Sequence, residues 1–215
     1  MTLESRAVIF VGPSLSASVR RQVQGDVIWC PPAGRGDLAE LDQPPGTRIV
    51  LVDGYMIQRH PPSPTEVFDL IERGYEVWGC SSLGALRAAE LRHHGMCGHG
   101  WVYERIVDGT ITYDDELVAP LDPRTGEATA LFMANIRFGL DQLVVSGYTT
   151  DHQAKMLLAR LRDLHFAQRT RRRCHELAID VGLKPVAVEQ LLATDVKRHD
   201  AETLIGRLTA SPGAR

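Results

Sequence analysis

No apolar run in this chain is long enough to cross a bilayer. The opening Met-Thr-Leu-Glu-Ser-Arg passes directly into a strand-like segment and does not resemble a secretory signal, so no membrane association is expected and a cytoplasmic location is. Basic charge is not in excess either. With 24 Lys and Arg against 27 Asp and Glu, the chain as a whole is not built to neutralise a phosphate backbone. The four cysteines, Cys30, Cys80, Cys97 and Cys174, have no C-x-x-C spacing. That argues against a zinc ribbon or a disulfide framework and fits a reducing compartment. His93, His94 and His99 crowd near Cys97 but form no recognisable ligand frame, so neither a metal nor a cofactor is expected. Internal repeats and long low-complexity linkers are absent.

At 215 residues and 44% hydrophobic, the chain can form one sizeable core or a domain with a smaller appendage. Its first half alternates short apolar runs with helix-like segments. The runs are 7–11, 27–29, 48–52 and 75–78; the helices are expected over 15–24, 64–73 and 85–93, with Ser14 as a possible cap of the first. Ser63, Pro64 and Glu66 form a capping box with Pro at the first helical position. Continuous apolar strands separated by helices imply a parallel sheet covered on both faces, with ligands at the carboxyl ends of its strands. At those ends stand Gly12-Pro13-Ser14, Gly34-Arg35-Gly36-Asp37, Asp53-Gly54 and Cys80-Ser81-Ser82.

The last of these is a tight strand-to-helix turn. Helix-opening N–H groups favour negative charge there, and the G-x-S-x-G hydrolases place a nucleophile on such an elbow. Ser82 has Gly84 two residues ahead but Cys80 two behind, so the match is partial. The plainer alternative is that Ser81 or Ser82 N-caps the helix. A helix N-terminus could also lower the Cys80 thiol pKa.

Glycines punctuate residues 95–100, and the acids Asp114, Asp115 and Glu116 precede an apolar step. Such acids read as a solvated helix start, or as groups for a cation or for acid–base work. From Thr125 onward the pattern is helical. Thr150 and Gln153 form a second capping box, Pro185 opens a helix, and Asp200 is expected to cap the last one. The expected architecture is α/β, a parallel sheet with flanking helices followed by an all-helical C-terminal region, with domains at 1–120 and 121–215. Arg169, Arg171, Arg172 and Arg173 form the one basic cluster, followed by helices short enough to suggest a helix-turn-helix, so a nucleic-acid-binding regulator is a further alternative; the lack of interleaved aromatics argues against it, and an acidic protein partner fits the patch equally well.

Five collinear blocks resemble the TfuA-like family over roughly residues 6–120: Phe10-Val-Gly-Pro-Ser-Leu15; Pro32-Ala-Gly-Arg-Gly-Asp-Leu38; Leu51-Val-Asp-Gly-Tyr55 with Glu66; Gly79 through Leu91 to Gly98; and Asp114 to Ala119. Leu83 stands where Met is common in that family. The resemblance implies a partner of a YcaO-type enzyme in peptide backbone thioamidation. It further implies hydrolysis of a thiocarboxylated ubiquitin-like sulfur carrier protein to release sulfide; a non-catalytic adaptor is the alternative. Such chemistry needs a nucleophile or activated water, a base and oxyanion donors. Ser82 is the candidate nucleophile, with Cys80 as the substitute and Asp53 orienting a base or water. Arg87 and Glu90, three apart on the following helix, are the remaining catalytic candidates, or else a simple ion pair. Ser14, Asp37, Ser81, Asp114 and Asp115 are expected to line the substrate pocket.

Overall fold

The computed structural model describes residues 6–57 and 59–209. It resolves into two compact units: one runs to Thr112 and takes in the chain again from Lys197, and the other spans Tyr113–Val196.

The first unit is built on five parallel strands, β1 (Ala7–Phe10), β2 (Val27–Cys30), β3 (Arg48–Leu51), β4 (Glu76–Gly79) and β5 (Cys97–Gly98), in the order β2-β1-β3-β4-β5. Strand residues alternate between two faces, and each face has its own core. Val8, Phe10, Ile49, Leu51 and Val77 pack with Val67 and Leu70 of α2 (Pro64–Glu72) and Ala88 and Leu91 of α3 (Leu83–Leu91). Ala7, Ile9, Val11, Val50 and Val52 pack with Ala201, Leu204, Ile205 and Leu208 of α9 (Val196–Thr209). Leu204 and Ile205 are fully buried, each contributing roughly 1.5–3 kcal/mol by burial. Ser63 and Glu66 complete the capping box of α2 as expected. α3 lies so close to the sheet that a β-carbon on Gly84 would stand 1.7 Å from the Leu51 carbonyl oxygen, so only glycine fits there.

The second unit is helical: α5 (Met133–Val145), α6 (Asp151–Arg162), α7 (Arg171–Asp180) and α8 (Pro185–Ala193) share one core that includes Leu140, Leu157, Cys174 and Val188. Thr150 and Gln153 form their capping box. The architecture is thus the expected parallel α/β sheet with a helical C-terminal region.

Several local expectations are corrected. The helix over 15–24 is only α1 (Ala17–Arg20), capped by Ser16, because Ser14 is drawn to Asp53 instead. β5 was not expected; it is two residues long and lies within the glycine-rich stretch. Residues 101–107 form helix α4 (Trp101–Val107). Asp200 does not cap the last helix, which already starts at Val196; its carboxylate accepts from the Trp101 and Val102 N–H groups (3.0 and 2.9 Å) and so caps α4. The compact units themselves divide at 112/113, and from Lys197 onward α9 groups with the sheet. Among the described residues no helix is long and apolar enough to cross a membrane.

Candidate functional site

In the order β2-β1-β3-β4-β5, the connections leaving β1 and β3 run to opposite sides. The carboxyl ends of β1 and β3 therefore flank the crevice where doubly wound sheets hold ligands. Asp53 ties those two ends together. Its Oδ2 accepts from the Gly12 N–H (2.8 Å) and the Ser14 N–H (2.9 Å), and its Oδ1 from the Ser14 hydroxyl (2.7 Å). Both residues are almost wholly buried, so this carboxylate fixes the loop after β1. Arg20 closes the same loop from outside, donating to the Gly12 and Leu15 carbonyls (2.9 and 3.0 Å).

The loop after β2 joins in through Ala33, which donates to the Asp53 carbonyl and accepts from the Tyr55 N–H. Asp37 accepts from the Gly34 N–H (2.7 Å) and pairs with Arg59 (3.0 Å), which lies over the Tyr55 ring. Burial alone would raise the Glu66 pKa. The N–H groups of Ser63 and Gly36 and the Ser63 hydroxyl outweigh it and hold that carboxyl below its ordinary range. Asp37 and Glu66 thus act as loop clamps, much as Asp53 does.

The elbow follows β4. Cys80 donates its N–H to the Leu51 carbonyl and Gly84 to that of Val52, binding the turn to the end of β3. Ser81 is the one non-glycine residue at positive φ (66°) among those described. For an L-residue the left-handed region costs roughly 1–2 kcal/mol, so the surroundings must hold it there. Its hydroxyl is fully buried and donates to the Lys197 carbonyl (2.6 Å). Neither serine caps α3: Ser82 is the N-cap residue, but its side chain makes no capping bond. Among the described residues the Ser82 Oγ has no hydrogen-bond partner, and the Leu83 N–H finds no acceptor.

Cys80 does not show the lowered pKa that a helix start could give. Burial pushes its thiol well above the ordinary range, and the nearby carboxylates of Asp200 and Asp53 press it further upward. An apolar setting among Ile9, Val11 and Leu204 outweighs any help from the helix start. Arg87 donates to the Pro62 carbonyl (2.8 Å) and pairs with Glu90 (2.8 Å), so it anchors the segment leading into α2 as well as making the helix ion pair.

Ser14, Asp53, Ser81, Ser82 and Cys80 are therefore brought to one edge of the sheet, with Asp37 in the adjoining loop. Asp114 and Asp115 belong to the helical unit. There Asp115 pairs with the buried Arg169 (2.6 Å), and Glu116 with Arg137. Arg169, counted in the basic cluster, also donates to the Leu161 and Leu164 carbonyls. Arg171 donates to Leu192, and Arg172 and Arg173 pair with Glu176. Arg20, Arg59 and Lys197 were not singled out from the sequence; their partners lie 8, 22 and 116 positions away, beyond any local pattern.

A family model described as TfuA-like protein matches residues 53–170. The chain belongs to the TfuA-like family. Its match starts at Asp53, so the blocks at 10–15 and 32–38 fall outside it, and it continues beyond residue 120 into the helices. This corrects the limits of 6–120. Glu116 and Asp115 lie within the match together with their partners, Arg137 on α5 and Arg169 just before α7. Membership is consistent with a thioamidation-associated protein, the family being known as an accessory to YcaO-type enzymes. No curated protein matches the chain.

Proposed function

We propose that this TfuA-like protein delivers sulfur to a YcaO-type enzyme in peptide backbone thioamidation, by hydrolysing a thiocarboxylated ubiquitin-like carrier. The observation that carries the reading is the Ser82 hydroxyl: it sits on an elbow after a parallel strand and, among the described residues, has no hydrogen-bond partner, as the neighbouring Leu83 N–H has none. Ser82 Oγ attacks the carbonyl carbon of the carrier's terminal thiocarboxylate. The Leu83 N–H supports the developing oxyanion. The C–S bond breaks, and the serine proton leaves with the sulfur as hydrosulfide. Water then hydrolyses the acyl-serine, giving the carrier carboxylate and restoring the hydroxyl. Asp53 and Arg87 act here by fixing the loops around the elbow, not by moving protons.

Time-resolved mass spectrometry of a thiocarboxylated carrier mixed with the protein tests this. Conversion of thiocarboxylate to carboxylate is expected with the wild type and Cys80→Ala, and a loss of about 100-fold or more with Ser82→Ala. Full conversion by a folded Ser82→Ala variant overturns Ser82 as nucleophile, and no conversion by the wild type with the YcaO enzyme present overturns the hydrolase.

A non-catalytic adaptor is the second reading. It is favoured by a hollow of about 440 Å³ in the α/β unit, lined by Leu15, Val19, Val23, Ile205 and Gly206 and by none of the elbow residues. An adaptor predicts thioamidation that survives Ser82→Ala.

A further inference from the structure

We propose that Ser81 is a positioning residue whose hydroxyl, bonded to the Lys197 carbonyl, ties the elbow to the last helix and thereby presents Ser82. The inference rests on the hydrolase reading for its catalytic consequence and on geometry for the tether itself.

Two adjacent serines occupy this turn, and the structure treats them in opposite ways. Ser81 carries the left-handed backbone and is fully buried, while the Ser82 hydroxyl has no partner among the described residues. In a hydrolase elbow the strained residue is itself the nucleophile. Here the strained residue turns its hydroxyl inward, 2.6 Å from the Lys197 oxygen and 3.4 Å from Cys80 Sγ, so it is unavailable to a substrate. A serine at positive φ persists only where neighbours over-determine it. Three bonds do so: Cys80 N–H to Leu51, Gly84 N–H to Val52 and Ser81 Oγ to Lys197. The first two fix the turn to β3, and the third fixes it to the first turn of α9. Loss of the third leaves Ser81 free to relax toward negative φ, and a rotation there swings the neighbouring Ser82 away from the Leu83 N–H. α9 lies outside the family match, so Lys197 completes the elbow from a part of the chain that the match does not reach.

The test uses the full chain with Ser81→Ala, which removes the hydroxyl but keeps a β-carbon, and Ser81→Gly, which removes both and folds without backbone strain. Thiocarboxylate hydrolysis is expected to lose tenfold or more in kcat with KM within twofold, because the reacting group is displaced while the binding surface stays. Amide hydrogen exchange at Ser82, Gly84 and Ala85 is expected to speed up at least tenfold in Ser81→Gly. Wild-type kcat in either folded variant, or a loss confined to KM, overturns the positioning role. If the wild type hydrolyses nothing, the hydrolase reading fails and exchange alone decides the tether: faster exchange in Ser81→Gly upholds it, and unchanged exchange overturns it.

Discussion

In the α/β unit the buried carboxylate of Asp53 faces two backbone N–H groups and a serine hydroxyl. In the helical unit the equally buried carboxylate of Glu116 faces the guanidinium of Arg137. Both satisfy a costly group, but with different consequences. Dipoles of the one loop after β1 hold that loop against the end of β3, and a carboxylate among them draws the chain to itself. A guanidinium matched to a carboxylate neutralises it and links a turn to a helix. Asp115 and Glu116 consequently look like site residues in the sequence and are held by Arg169 and Arg137 in the fold. At the polar edge of the sheet, by contrast, the Ser82 hydroxyl and the Leu83 N–H have no partner among the described residues.

The comparison is broken most severely by Glu116→Ala, which leaves the Arg137 guanidinium, 13% exposed, without its partner. A loss of about 3–5 kcal/mol is expected in denaturant unfolding, whereas Glu116→Leu with Arg137→Met is expected to lose far less. A comparable loss in the double variant would show that the pair does more than neutralise itself.

Asp200 sharpens the comparison through pH. Burial raises its pKa to about 6 from 3.8, although the N–H groups of Val102 and Trp101 pull the other way. A carboxyl whose folded pKa lies above its unfolded value takes up protons preferentially in the folded state. Its contribution to stability therefore grows as pH falls from about 6 toward 4 and is lost as pH rises through 6. Asp200→Asn is expected to flatten that trend by about 1–2 kcal/mol in midpoints taken between pH 4 and 7. Identical slopes in the two proteins would refute the shift.

The smallest effect is expected at Arg172, whose side chain is 90% exposed beside Glu176. Arg172→Ala should stay within about 0.5 kcal/mol of wild type in the same unfolding measurement. Arg169→Ala, three positions away and fully buried, should cost several times more.

Much of this was legible where the signal is local. Four of the five strands are apolar runs, and the boxes at Ser63 and Thr150 both form, because a capping box is written in four consecutive residues. The candidate site was legible in outline, since Ser14, Asp53 and the elbow serines do meet at one edge of the sheet. Their individual roles were not. Ser14 looked like a helix cap because its partner is 39 residues away, and Asp200 looked like a cap of the helix it lies within. Positive φ at Ser81 leaves no trace in the sequence, because glycine, the usual marker of that conformation, is not the residue used. Cys80 misled in the opposite sense: its place at a helix start was visible, and the apolar neighbours whose burial raises its thiol pKa come from around β1 and from α9.

The placement of α9 also bears on how the protein is made. Ile9, Val11, Val50 and Val52 lie in or just after β1 and β3, well before α9 in the chain, yet the side chains that cover them come from residues 201–208. Until that segment leaves the ribosome, one face of the sheet is an open apolar surface and Ser81 has no carbonyl to bond. The helical region, by contrast, can close its core from consecutive segments. The sheet is therefore sealed only once residues 201–208 have been made, and a nascent chain stopped short of Lys197 is at once sticky and incomplete at its elbow.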